Sequence, residues 1–213
     1  ILIATGGRPN PHHALPGSEH AITSNEAFNL EQLPKSILIA GGGYIAVEFA
    51  NIFHGLGVET TLMYRGLEIL GRFDMDLRRG LHKAMVDKGI DILTQTTSSG
   101  IEKRSDGMLE VKLSGGGSKV VESVMLAVGR TPNTEGIGLE KAGVEVGPVG
   151  EIVVDQYSRT NVESIYALGD VTNRVQLTPV AIHEAMCFVD TVFRDKPTAP
   201  DHEAIPTAVF SQP

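Results

Sequence analysis

A glycine-rich hexapeptide, Gly41-Gly42-Gly43-Tyr44-Ile45-Ala46, lies between an apolar run and an amphipathic segment. The apolar run, residues 36–40, predicts a short buried strand, and the spacing of apolar residues over 45–56 predicts a helix. Residues 58–64 predict the next strand. A strand, a tight glycine turn, a helix and a second strand form a βαβ unit, which requires a parallel sheet with a right-handed crossover.

The rest of the chain continues this α/β pattern and adds one antiparallel part. Short strand-like runs on either side of Gly115-Gly116-Gly117 predict a small antiparallel meander within residues 100–128. The remaining predicted elements are a helix cap at Ser24 or Asn25, a helix over 77–88, strands over 1–4, 90–93, 124–128, 152–154, 165–168 and 207–210, and a helix over 179–193. The predicted fold class is therefore α/β, a Rossmann-like parallel sheet with helices and an antiparallel β-meander.

Composition excludes several functions. The chain has 213 residues, 41% of them hydrophobic, and a net charge of −8, so we expect a folded, soluble protein that does not bind nucleic acid. No apolar run approaches the roughly 20 residues that span a bilayer, and no signal peptide opens the chain; we therefore expect no membrane partner and a cytoplasmic location. The single cysteine, Cys187, excludes an internal disulfide or a multi-cysteine zinc site, and no metal site is predicted.

The two ends of the chain carry a further expectation. The first residue is Ile1, and the terminal stretches 1–4 and 207–210 both resemble core strands. Strands with unpaired edges at both ends invite aggregation. The sequence therefore predicts a piece cut from a longer protein.

The hexapeptide fits the dinucleotide-binding pattern G-x-G-x-x-G/A. In this pattern Gly41 makes the turn, Gly43 lets the backbone approach a diphosphate, and Ala46 allows the helix to pack closely on the sheet. The N-terminus of the helix then presents unpaired N–H groups to the phosphates. A strand before the motif and a helix after it favour a dinucleotide site over a glycine-rich connection in another α/β fold.

The end of the second strand indicates which nucleotide binds. An NAD site places an acidic residue there to accept the ribose 2′-hydroxyl, whereas a 2′-phosphate requires arginine. This chain has Tyr64-Arg65-Gly66, which predicts NADPH. Arg72 is a candidate for a second phosphate contact, and Arg78 and Arg79 are expected on a solvated helix face.

Four ordered motifs resemble a known family. Residues 42–50, with the sequence GGYIAVEFA, are similar to the glutathione reductases of the class I pyridine nucleotide-disulfide oxidoreductases. Residues 4–9 and 127–133 resemble the two crossings between the FAD and NADPH domains of that family, and residues 165–170 resemble its second flavin motif. The resemblance implies partial FAD-binding domains over 1–33 and 134–204, an NADPH-binding domain over 34–133, and the start of an interface domain over 205–213.

The resemblance also implies roles for individual residues. Tyr44 would cover the flavin and Glu48 would hold the nicotinamide carboxamide, which makes them the catalytic candidates. Arg65 would bind the 2′-phosphate. The other cofactor candidates are Arg130 with Gly129 near the NADPH phosphates, Asp170 on the ribityl chain of FAD, and Thr178 at a helix N-terminus near the flavin. A simpler interpretation is that Tyr44 and Glu48 only begin a helix and that Asp170 caps a turn.

The family implies a hydride transfer from NADPH to FAD and then reduction of a disulfide, with glutathione disulfide as the expected substrate and a homodimer as the parent protein. One departure is that Leu70-Gly71-Arg72 places glycine where the family has its second phosphate-binding arginine. The redox cysteines, the His-Glu dyad and the first FAD fingerprint have no counterpart, so we expect this chain alone to be inactive. Alternatives are an NAD enzyme similar to lipoamide dehydrogenase and a non-catalytic nucleotide-binding module.

Overall fold

A computed structural model describes residues 1–10 and 12–211 of the chain. Pro11 and residues 212–213, the latter in the predicted interface segment, lie outside the described residues. The strands are β1 (Leu2–Ile3), β2 (Gly7–Pro9), β3 (Ser36–Ala40), β4 (Glu59–Met63), β5 (Asp91–Leu93), β6 (Ser98–Lys103), β7 (Leu109–Leu113), β8 (Ser118–Val121), β9 (Ser123–Leu126), β10 (Arg130–Pro132) and β11 (Tyr166–Ala167). The α-helices are α1 (Ser24–Ala27), α2 (Tyr44–Gly55), α3 (Met75–Asp87), α4 (Leu139–Ala142) and α5 (Thr178–Phe193).

The chain divides into two compact units. Unit 1 comprises Ile1–Arg8 and Arg130–Thr207, and unit 2 comprises Pro9–Gly129 and Ala208–Pro213. Two of the divisions fall within residues 4–9 and 127–133, the stretches that resemble domain crossings, and the third follows Thr207. The boundaries predicted from the sequence are at residues 33/34, 133/134 and 204/205. The assignment of the four segments to cofactor-binding domains stays a prediction.

Unit 2 is built on a four-stranded parallel sheet in the order β5-β4-β3-β9. Ile37 and Ile39 of β3 pack with the buried face of α2, while Leu38 and Ala40 pack with residues of the β6–β8 region. Because successive side chains of a strand point to opposite faces, a continuous apolar strand is what a sheet covered on both sides requires. The α/β, parallel-sheet prediction is confirmed.

The predicted meander is also present. Strands β6, β7 and β8 form a separate antiparallel sheet, and β7 connects to β8 through the glycine loop at residues 114–117. The cap of α1 differs from the prediction. The capping residue is Thr23, rather than Ser24 or Asn25. Its hydroxyl oxygen accepts the N–H of Asn25, and the carboxylate of Glu26 accepts the N–H of Thr23.

Unit 1 pairs β1 with β11 in parallel and packs a small apolar core that includes Ile152, Ala167 and Val171. The predicted strand over 152–154 is wrong, because only Ile152 forms a bridge, to Val146. Turns on both sides limit the pairing: one closes over residues 147–150, and in the other the Asp155 carboxylate accepts the N–H of Tyr157 and of Arg159.

The predicted strand over 207–210 is also wrong. Residues 207–210 have no regular structure, and the N–H of Phe210 donates to the carboxylate of Glu48 instead of to a neighbouring strand. Within residues 1–10 and 12–211, no helix combines the length and the apolar character that crossing a membrane demands.

Candidate functional site

The glycine turn between β3 and α2 is fixed by close backbone packing. Gly41 has φ of +147°, and a β-carbon built on it would lie 2.3 Å from the carbonyl oxygen of Ala127. Its N–H donates to the carbonyl of Met63, at the end of the neighbouring strand β4. Only glycine can occupy this position, because any side chain would displace the end of the sheet.

Gly43, in contrast to Gly41, has space around it for a side chain. Its φ of −85° and ψ of −179° are open to any residue, and a β-carbon would meet nothing within 4 Å. The packing of the chain therefore does not explain the glycine, whereas a diphosphate approaching the backbone would. Ala46, the third residue of α2, is fully buried against the sheet. The residues present fit a dinucleotide diphosphate at the N-terminus of α2.

Tyr44 and Glu48, the two catalytic candidates, lie four residues apart on α2 and so share one face of that helix. Both are partly buried. Oε1 of Glu48 accepts the N–H of Phe210 at 3.0 Å, so residues 208–211 pass beside this face within unit 2. The structure thus brings the two candidates next to the glycine turn.

Arg65 and Arg72 lie in the loop between β4 and α3, and both are exposed. Strands β3 and β4 are parallel neighbours, so this loop and the glycine turn follow the same edge of the sheet. Arg78 does not lie on a solvated face as expected: its guanidinium is partly buried and donates to the carbonyls of Ile69 and Glu68, at 2.8 Å each.

Two further features of this loop were not predicted. A β-carbon on Gly42 would lie 2.3 Å from the ring of Tyr64, and one on Gly66 would lie 2.5 Å from it, so both glycines leave room for the ring. Leu70 is buried with φ of +56°, and its N–H donates to the carbonyl of Gly42 at 2.6 Å. The loop is therefore anchored directly on the glycine turn; no local spacing indicates this contact, because Gly42 and Leu70 are far apart in the chain.

Two further cofactor candidates, Gly129 and Arg130, lie on either side of the division in the chain at residues 129/130. Gly129 has φ of +127° at the end of unit 2, and its carbonyl accepts the N–H of Asn10. In unit 1, Nε of Arg130 lies 3.9 Å from the carboxylate of Asp170, and its guanidinium donates to the carbonyl of Gly7. Arg130 is thus engaged within unit 1, and its predicted role near the NADPH phosphates stays a prediction.

Thr178 is the first residue of α5, with a proline immediately after it, which suits the first turn of a helix. Asp170 lies in a short 3₁₀ helix, Gly169–Thr172, whose first residue has φ of +74°. A β-carbon on Gly169 would lie 3.3 Å from that of Ala181, so this helix packs closely on α5. Asp170 and Thr178 therefore belong to neighbouring elements of unit 1.

A buried carboxylate that no sequence motif indicates joins these elements. Glu184 of α5 is 1% exposed, and its Oε2 accepts the N–H of Gly169 at 2.6 Å. Its Oε1 lies 3.0 Å from the guanidinium of Arg174 and 2.8 Å from Nε2 of His202. We call these four residues the Glu184 cluster. Its members are separated along the chain, so no local spacing could have indicated it.

Cys187 is buried. Burial, together with the negative charges of Asp190 and Glu184, raises the pKa of the Cys187 thiol. The protonated thiol is a poor nucleophile. Among the described residues, no three His, Cys, Asp or Glu side chains are grouped as metal ligands would be.

Known proteins with similar sequences include trypanothione reductases and glutathione reductases. The chain is 48% identical over 216 residues to trypanothione reductase of Trypanosoma congolense, and 48% identical over 213 residues to glutathione reductase of Burkholderia cepacia. The whole chain is covered in both cases, but it spans 44% and 47% of the lengths of these relatives. The chain therefore corresponds to less than half of the curated relatives it matches.

A solved structure and a family model agree. The Cu(II) complex of a mutant HOCl-induced flavoprotein disulfide reductase from Escherichia coli matches with a TM-score of 0.93 and 29% identity, over 99% of this chain and 48% of that one. The family model for pyridine nucleotide-disulphide oxidoreductase matches residues 1–185, which contain both the glycine turn and the segment around Asp170. This chain belongs to the pyridine nucleotide-disulphide oxidoreductase family.

Proposed function

We propose that this chain is the NADPH-binding part, with portions of the FAD-binding part, of a flavin-dependent disulfide reductase that acts on glutathione disulfide. One observation carries the proposal: the open position at Gly43 lies at the same sheet edge as the exposed Arg65, in a loop anchored on the glycine turn. The names of the relatives, glutathione reductase and trypanothione reductase, support a disulfide of the glutathione type.

In this proposal unit 2 holds the nucleotide. The first-turn N–H groups of α2 bind the diphosphate, and Gly43 lets it approach. Arg65 binds the 2′-phosphate through a charge-assisted hydrogen bond, and the exposed Arg72 supplies a second positive charge. Glu48 orients the nicotinamide carboxamide, and Tyr44 shields the reaction site from water.

Residues of unit 1 contribute to the flavin site. Asp170 accepts a hydrogen bond from the ribityl chain, and the N-terminus of α5 at Thr178 places its positive dipole end toward the flavin ring. When bound, NADPH supplies a hydride and FAD accepts it. The disulfide substrate and a homodimeric assembly belong to the longer protein that the relatives represent.

Replacing Arg65 with glutamate is expected to weaken NADPH binding by about 10- to 100-fold, because a charge-assisted hydrogen bond contributes roughly 1.5–3 kcal/mol. NADH, which has no 2′-phosphate, should lose less than about threefold. Calorimetric titration of this chain with each nucleotide, without added flavin, measures both constants. Arg79→Glu, an exposed arginine on α3, is the control for net charge. Equal losses for the two nucleotides would exclude a phosphate role for Arg65.

A further inference from the structure

The loop between β4 and α3 contains two carboxylates beside its two exposed arginines: Asp74, whose side chain caps the N-terminus of α3, and Glu68. Glu68 is three residues after Arg65 and four before Arg72. A carboxylate in a loop that receives a phosphate is unfavourable, since the two negative charges repel each other. A carboxylate is also the group with which an NAD site accepts the ribose 2′-hydroxyl. Where the Glu68 side chain points therefore matters for the choice of nucleotide.

In the structure Glu68 points toward α3. Its Oε2 lies 2.7 Å from Nδ1 of His82, and the two side chains are only 20% and 23% exposed. A carboxylate accepts hydrogen bonds, so Nδ1 of His82 carries the proton in this contact. Arg78, one turn before His82 on the same helix, holds the carbonyl of Glu68 at 2.8 Å. The backbone and the side chain of Glu68 are thus both fixed on α3.

We propose that His82 determines nucleotide specificity by holding the Glu68 carboxylate away from the 2′-position of the bound nucleotide. His82 does not touch the nucleotide and is therefore a positioning residue. Released from His82, the carboxylate would repel a 2′-phosphate and accept a hydrogen bond from a 2′-hydroxyl. The inference rests on the proposed function, since it assumes that Arg65 and its loop receive the phosphate of NADPH.

Three variants of this chain test the inference by calorimetric titration with NADPH and NADH. His82→Ala frees the carboxylate, so NADPH affinity should fall about 5- to 10-fold while NADH affinity is unchanged or rises. Adding Glu68→Gln to His82→Ala removes the charge and should return NADPH affinity to within about threefold of the parent chain. His82→Asn keeps a side-chain N–H donor near the position of Nδ1 and should retain the preference for NADPH.

The double variant distinguishes a role of His82 in nucleotide specificity from a purely structural role in stabilising the loop. If the pair only stabilised the loop, His82→Ala would weaken both nucleotides equally and Glu68→Gln would not restore NADPH binding; that result overturns the inference. Unchanged NADPH and NADH affinities in His82→Ala would overturn it as well. Failure of the parent chain itself to prefer NADPH would instead reject the proposed function. Circular dichroism melts of each variant confirm that the compared chains are folded.

Discussion

Gly41→Ala is expected to lower the free energy of unfolding of unit 2 by about 3 kcal/mol or more. The new β-carbon would lie 2.3 Å from the carbonyl oxygen of Ala127 at a φ of +147°, so either the turn or the end of the sheet must move. Overpacking in a rigid site costs roughly 1–3 kcal/mol, and an unfavourable backbone conformation adds a similar amount. Urea unfolding followed by circular dichroism measures the change.

Gly43→Ala is the matched comparison, two residues away in the same turn. Its β-carbon meets nothing within 4 Å at an ordinary φ, so stability should stay within about 0.5 kcal/mol of the parent chain. NADPH binding should nevertheless fall by at least about tenfold, because the methyl group occupies the space of the diphosphate. Normal NADPH binding by Gly43→Ala would contradict the placement of the diphosphate at this turn.

Glu184→Ala is expected to destabilise unit 1 by about 2–4 kcal/mol. The substitution removes the acceptor of the Gly169 N–H and leaves the guanidinium of Arg174 without its carboxylate. Leaving a buried N–H without an acceptor is costly, and the loss of the ion pair adds to this cost. The guanidinium of Arg174 is 22% exposed and keeps its hydrogen bonds to Thr172 and Ser158, which limits the second contribution. Thermal and urea unfolding of the variant, compared with the parent chain, measure the loss.

Two controls make the result specific to the Glu184 cluster. Glu184→Gln keeps an oxygen for the Gly169 N–H but loses the charge, so it should cost less than Glu184→Ala. Glu163→Ala, at an exposed position in the same unit, should change stability by less than about 0.5 kcal/mol. A loss below about 1 kcal/mol in Glu184→Ala would show that the cluster contributes little to the fold.

The sequence correctly predicts those parts of the fold that are determined by residues close to one another in the chain. The apolar run at β3, the glycine turn and the periodicity of α2 each follow from nearest neighbours along the chain, and the structure places them within one residue of expectation. The strand predicted over 152–154 shows where this fails. Apolar content favoured a strand there, but the flanking turns leave a single bridge.

In the candidate site, too, the residues of a local motif could be predicted, whereas contacts between distant segments could not. Gly41, Gly43 and Ala46 could be found because a dinucleotide motif is contiguous, and Arg65 because it follows the adjacent strand. The packing of Gly42 against the ring of Tyr64 and the Glu184 cluster both depend on contacts between segments that are distant in the chain. His202 is 18 residues from Glu184, so only the folded chain reveals that they meet.

The hydrogen bond between Asn10 and Gly129 has a consequence for the order of folding. It joins the two ends of the segment Pro9–Gly129, which belongs to unit 2. Once unit 2 has folded, the two stretches of unit 1 that flank this segment are therefore already close together. Closing a loop of that length as a disordered chain costs about 4 kcal/mol in entropy. We therefore expect unit 2 to fold first and unit 1 to follow. Pulse-labelled amide exchange should find β3 and β4 protected before α5, and simultaneous protection would contradict this order.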